Sequence, residues 1–136
     1  MRISTKGRYA LNIMVDLAKN SSEDKYISLT EISKRLEISN KYLEQIISAL
    51  NKSKMVLSTR GNNGGYRLAK KPEEYKVGDI LRATEGNLSP IDCLSNGSVN
   101  TCPKKNKCAT LSFWQGLDKA IEDYVDSKTL ADLLKI

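Results

Sequence analysis

Apolar residues recur at helical spacing near the start of the chain. Ala10, Ile13, Met14, Leu17 and Ala18 share one face, which predicts an amphipathic helix from about Thr5 to Lys19. A polar loop, Asn20 to Asp24, follows. Ser28-Leu29-Thr30-Glu31 fits a capping box, and Leu29, Ile32 and Leu36 form an apolar stripe. A second, short helix is therefore expected to end near Leu36. Ser39 is placed to cap a third helix, with Ile38 just before it positioned to staple onto Leu43. Leu43, Ile46, Ile47 and Leu50 make the core face of that helix. Two short helices across a tight turn, the second amphipathic, read as a helix-turn-helix.

The periodicity then changes from helix to strand. Met55 to Arg60 reads as one strand and Tyr66 to Ala69 as its return. Between them lies Gly61-Asn62-Asn63-Gly64-Gly65, with Asn63-Gly64 the strongest turn dipeptide. A helix-turn-helix followed by such a hairpin, with Arg60 and Arg67 flanking a glycine-rich tip, reads as a winged helix. Beyond Pro72, residues Val77, Ile80, Leu81 and Thr84 mark a short helix with Gly86 as its stop. A polar segment from about Asn87 to Lys107 has neither period. A longer helix is expected from about Ala109 to Asp126. Its apolar positions, among them Leu111, Phe113, Trp114, Leu117, Ile121 and Tyr124, form a stripe wider than one buried face needs. Such a helix suits packing on its own subunit and on a partner helix. Thr129 is placed to cap a last short helix containing Leu130, Leu133 and Leu134. The expected fold class is mainly α with a small β-hairpin wing. Residues 1–71 form a winged helix-turn-helix DNA-binding domain. Residues 72–136 carry a short helix, a cysteine loop at about 87–108 and a long dimerisation helix.

Charge adds direction to this outline. Residues 1–71 hold 14 Lys and Arg against 6 Asp and Glu, whereas residues 72–136 hold 8 against 10. A basic N-terminal half suits an anionic partner, nucleic acid first. On the third helix, Ser39, Asn40, Lys41, Tyr42, Glu44, Gln45 and Ser48 are the candidate DNA contacts. Gln45 pairs with adenine, Glu44 accepts from cytosine and Lys41 reaches guanine or phosphate. Arg60, Gly61, Asn62 and Gly65 of the wing are candidates for backbone or minor-groove contact. Lys6 and Arg8 are further phosphate candidates, because they lie near the positive end of the first helix. No apolar run approaches a membrane span and no secretory signal is read, so a cytoplasmic, reducing compartment is expected.

The chain has no histidine, which removes the commonest general base and any Ser-His or Cys-His nucleophile pair. Its three cysteines, Cys93, Cys102 and Cys108, fall within sixteen residues of the polar segment. Lys104, Lys105 and Lys107 stand beside them and favour the thiolate form. Grouped thiolates suit an iron–sulfur cluster or zinc. Redox-sensing thiols, or a small thiol redox enzyme, are the alternatives.

Ser4-Thr5-Lys6-Gly7-Arg8-Tyr9-Ala10, Tyr42-Leu43-Glu44-Gln45 and Arg60-Gly61 through Gly64-Gly65-Tyr66 resemble the Rrf family of bacterial winged-helix regulators, with its IscR-, NsrR- and CymR-type members. The likeness continues through Val77-Gly78-Asp79-Ile80 and through Cys108, Trp114 and Thr129-Leu130. The resemblance implies a homodimer with the long helices at its interface, acting on pseudo-palindromic double-stranded DNA. It implies an iron–sulfur cluster, of the 2Fe-2S type, on Cys93, Cys102 and Cys108, and control of iron–sulfur or cysteine metabolism genes. Glu44 falls where IscR-type members have a glutamate that adjusts promoter choice. Leu111 stands where those members have a histidine ligand. Arg8 and Asn12 occupy the region where NsrR-type members use an aspartate of the partner. The fourth donor is thus open among Asp92, Glu85, a partner residue, water or a small thiol. CymR-type members work without a cluster.

Overall fold

The computed structural model describes residues 3–94 and 107–135. The chain begins with α1 (Thr5–Asn20), α2 (Leu29–Leu36) and α3 (Asn40–Lys52). Each is started by a serine hydroxyl. Ser4 accepts from the Gly7 amide, Ser28 from Glu31 and Ser39 from Tyr42. Each hydroxyl satisfies one amide that a helix start leaves without a partner. The turn between α2 and α3 is made by Glu37, which adopts a left-handed conformation at φ 55°. That conformation closes α2 in a single residue, so Ser39 can cap α3 two positions on.

β1 (Val56–Thr59) and β2 (Gly65–Leu68) form an antiparallel pair running from Val56 opposite Leu68 to Thr59 opposite Gly65. The hairpin tip differs from the expectation in its centre. The Gly64 amide donates to the Gly61 carbonyl at 3.0 Å, so Asn62 and Asn63 are the central residues, not Asn63-Gly64. Gly61 takes φ 107°, a conformation that L side chains rarely adopt. A third extended stretch meets the hairpin at Ile27, whose amide and carbonyl both bond Tyr66 at 2.8 Å.

A 3-10 turn (Pro72–Glu74) leads into α4 (Val77–Glu85), which Gly86 ends at φ 85°. α5 (Leu111–Ser127) and α6 (Leu130–Leu133) complete the order. α5 starts two residues later than its apolar pattern suggested. Thr110 precedes it without capping an amide, and accepts instead from Trp114 Nε1 at 3.2 Å.

The core gathers Ile13, Met14 and Leu17 of α1, Ile32 of α2, and Leu43, Ile46, Ile47 and Leu50 of α3. The same core takes in Tyr75, Ile80 and Leu130 from beyond residue 71. Tyr75 is 2% exposed and joins the wing base to α4. Its hydroxyl donates to the Met55 carbonyl at 2.6 Å and accepts from the Ala69 and Lys70 amides at 2.9 and 3.1 Å. Burial raises its phenol pKa above the ordinary range.

Candidate nucleic-acid interface

α3 is buried on one side and open on the other. Leu43, Ile46, Ile47 and Leu50 are each at most 1% exposed. Asn40, Lys41, Glu44, Gln45 and Ser48 are exposed, at the one-turn spacing that places them along one stripe. These are five of the seven α3 candidates. Ser39 is exposed too, and its oxygen is committed to the Tyr42 amide at 3.3 Å, which leaves its O–H to donate outward. Tyr42 is the remaining α3 candidate. It is half-buried, and its ring meets that of Tyr9 edge-on with centroids 5.7 Å apart. That pair buttresses α3 against α1.

What ties α2 to α1 beside this helix was not anticipated. Asp16, flanking the apolar face of α1, is only 7% exposed. Arg35 of α2 grips it through Nε to Oδ1 at 2.8 Å and Nη2 to Oδ2 at 2.9 Å. The bond to Asp16 raises the Arg35 pKa, so the guanidinium stays charged. Little in the sequence signals it: Asp16 flanks the apolar stripe, and its partner, 19 residues on, is brought in by the fold.

The wing divides its candidates. Arg60, Gly61 and Asn62 are exposed at the tip. Gly65 is buried, and a side-chain carbon there would collide with the Ile27 carbonyl. Its glycine identity therefore serves the docking of the hairpin on Ile27, not exposure at the tip. Arg67, expected to flank the tip, folds back instead. Its guanidinium lies 5.4 Å from the Tyr26 ring centroid and Nη1 donates to the Leu68 carbonyl at 3.1 Å. Its place is beneath the wing.

Arg8 is exposed and Lys6 half-buried at the start of α1. The start of α1, where a phosphate is expected, already has a carboxylate beside it. Glu85, at the end of α4, bonds the cap residue, accepting from the Ser4 amide at 3.1 Å and from the Ser4 hydroxyl. Gly7 makes room, since a side-chain carbon there would strike the Glu85 carboxylate. A carboxylate at the positive end of a helix offsets the attraction for a second anion. Lys6 and Arg8 remain as candidates.

The cysteines bracket the connection from α4 to α5. Leu88, packed with Val77 and Leu81, anchors its start. Cys93 is half-buried; Cys108 is exposed, with Sγ 3.7 Å from Thr110 Oγ1. Cys102, Lys104 and Lys105 lie outside the described residues. Among the described residues no three Cys, His, Asp or Glu side chains are gathered so as to hold a metal ion. Of the fourth-donor candidates, Asp92 is exposed and Glu85 is engaged with Ser4. Leu111 is half-buried at the first turn of α5.

Comparison with known proteins places this geometry. A family described as "Rrf2: Iron-dependent Transcriptional regulator" matches residues 3–136. Protein rrf2 of Nitratidesulfovibrio vulgaris is 36% identical over 99% of this chain and 88% of its own length. The structure of CymR (YrzC), the global cysteine regulator of B. subtilis, superposes with a TM-score of 0.77 at 38% identity, covering 99% of this chain and 97% of that one. That of T. potens IscR gives 0.76 at 41% identity, covering 99% and 87%. The family is described as transcriptional regulators, CymR is named as a regulator, and the helix-turn-helix with its hairpin is the winged-helix fold of the CymR and IscR structures. The chain belongs to the Rrf2 family of DNA-binding transcriptional regulators.

Proposed function

We propose that this regulator is a homodimer that reads a pseudo-palindromic operator and reports iron–sulfur or cysteine status through Cys93, Cys102 and Cys108. The observation that carries the DNA-reading part is the exposed stripe Asn40, Lys41, Glu44, Gln45 and Ser48 on a helix whose other face is locked in the core. Lys41 and the Ser39 hydroxyl hold phosphate or guanine, Gln45 reads adenine and Glu44 selects by accepting from cytosine. Arg60 and the wing tip hold the backbone beside the groove. In this reading residues 1–71 supply the DNA contacts and residues 72–136 the sensor and the dimer contact.

Dimerisation is supported by α5, none of whose residues is fully buried. Phe113 and Tyr124 are 64% and 65% exposed, eleven positions apart and thus on one face. A second α5 covers that face best, and a two-fold dimer sets its recognition helices about 34 Å apart.

For the cofactor, the donor type fits: three thiolates suit iron. Cys93, Cys102 and Cys108 would hold it, with the fourth position left to Asp92, a partner residue, water or a small thiol. When bound, a cluster supplies a redox- and iron-dependent charge to the segment that leads directly into α5. A second reading keeps the fold and drops the cluster, leaving thiols that sense redox state or hold zinc. Leu111 in place of a histidine favours it, as does the likeness to CymR, a cysteine regulator by name.

Anaerobic reconstitution with iron and sulfide, followed by assay of both elements, separates the two. The cluster reading expects uptake that each Cys→Ala change abolishes while folding persists. Uptake of zinc alone, or of nothing, leaves the thiol reading. Duplex binding without salt dependence would sink the DNA-reading assignment itself.

A further inference from the structure

α5 is pinned at one end. The Val77 amide donates to the Lys128 carbonyl at 2.9 Å and the Leu130 amide to the Tyr75 carbonyl at 3.0 Å. Leu130, just past the helix, is fully buried. Above that pin, Ile121 and Val125 pack on Val77 and Leu81 of α4. Arg82 is the other tie. Its Nη1 reaches Asp126 Oδ1 at 2.9 Å and its Nη2 reaches Asp126 Oδ2 at 3.1 Å. It also pairs with Glu122, one turn further up α5, and with Asp79 of its own helix at 3.1 Å. Gly78 lets the two helices close, since a side-chain carbon there would run into Asp126 and Val125.

We propose that Arg82 is a positioning residue that fixes the angle between α5 and the winged body, and through that angle the half-site spacing the dimer accepts. The inference rests on the dimeric DNA-binding reading above. A planar guanidinium forked onto two carboxylates one turn apart constrains direction as well as distance. Without it, Asp79, Glu122 and Asp126 face one another as three like charges, and α5 is pushed away from α4. The lever is long. Seventeen residues at about 1.5 Å each make a helix of about 25 Å. A swing of about 10° about the pinned end moves the far end by about 4 Å. One base-pair step is about 3.4 Å. An angular error of that size therefore moves the far end of α5, and with it a partner packed there, by about one base-pair step relative to the winged body.

The test uses the full chain as wild type, Arg82→Ala, Arg82→Lys and Asp126→Asn. The duplexes carry the operator recovered by in vitro selection with wild type, the same half-sites with the spacer changed by one and two base pairs, and a single half-site. Wild type is expected to prefer one spacing. Arg82→Ala and Asp126→Asn should remain dimeric in sedimentation, bind the single half-site as before, and lose roughly two- to thirtyfold of the spacing preference. Arg82→Lys, which keeps the charge and loses the fork, should fall between. Should Arg82→Ala fail to fold, Asp126→Asn decides, because it opens the fork without exposing three uncompensated charges. Unchanged spacing preference in folded, dimeric variants overturns the proposal, as does a parallel loss of half-site affinity, the mark of a general structural role. A wild type that is monomeric, or that binds no duplex, overturns the dimeric reading and this proposal with it.

Discussion

Arg35 and Asp16 join α2 to α1 by a two-pronged ion pair whose acid is 7% exposed and whose base is 37% exposed. The pair is the only charged cross-link beneath the helix-turn-helix among the described residues, and Asn20 Nδ2 adds a bond to the Asp16 backbone carbonyl at 2.8 Å. Removing Arg35 strands a buried carboxylate. Breaking a buried pair costs about 3–5 kcal/mol, and the partial exposure of Arg35 lowers that to about 2–3 kcal/mol. Arg35→Ala should shift the urea midpoint accordingly. Arg35→Lys, which keeps the charge without the fork, should recover only part of it. Equal stability of all three chains would show that water replaces the pair freely.

The two wing arginines should separate cleanly. Arg60 is exposed at the tip, whereas Arg67 lies over Tyr26. Arg60→Ala should reduce the slope of log affinity against log salt by about 0.9, the loss of one phosphate contact. Arg67→Ala should leave that slope unchanged and lower thermal stability instead, because it removes a cation–π contact of about 0.5–2 kcal/mol. Salt titrations of both variants on one duplex, beside their melting curves, check the assignment. A reduced slope for Arg67→Ala would mean that the arginine swings out on binding.

Sequence reading reached α2 and α3 because each carries two agreeing signals, a serine cap and an apolar stripe. Ser39 with Leu43, Ile46, Ile47 and Leu50 fixed both the start and the orientation of α3, and hence its exposed face. The hairpin was equally legible, but its centre was not. Asn63-Gly64 is the stronger turn pair in isolation, yet the docking of Gly65 on Ile27 sets the register one residue away. The contacts of Arg67, Tyr42 and Glu85 were not legible for a common reason. Each is polar and stands beside a motif, and its partner, Tyr26, Tyr9 or Ser4, is brought in by the tertiary fold. The Asp16–Arg35 and Arg82–Asp126 pairs were invisible for the same reason, at separations of 19 and 44 residues.

Acid should loosen α5. The bond from Arg82 holds the Asp126 carboxyl below its ordinary value near 3.8. The folded state therefore gains from this group at pH above that ordinary value, and the gain is lost as pH falls through the lowered folded value. Asp132, lowered by the Thr129 amide, adds a contribution of the same sign at α6. Trp114, the single tryptophan, lies on α5 and reports its environment. Its emission should change as pH falls below about 4, and Asp126→Asn should flatten the Asp126 part of that change. Identical profiles for the two chains would show that the Arg82 tie is not what holds α5.

Glu44 is the sharpest test of base reading. It stands exposed on α3 between Lys41 and Ser48, an acid on a surface turned toward phosphate. Such a charge lowers general attraction for DNA, so its presence makes sense only where it discriminates. A carboxylate accepts from the cytosine amino group and repels the acceptor edges of guanine, which is worth about 1–3 kcal/mol at one position. Glu44→Ala should therefore relax the preference at that base pair while affinity for unrelated duplexes holds or rises. Glu44→Gln, neutral but still able to accept, should keep part of the preference and shed the repulsion. In vitro selection with the three chains reads this directly. Recovery of the same motif at the same stringency with Glu44→Ala would place specificity elsewhere on α3, with Gln45 and Asn40 the next residues to change.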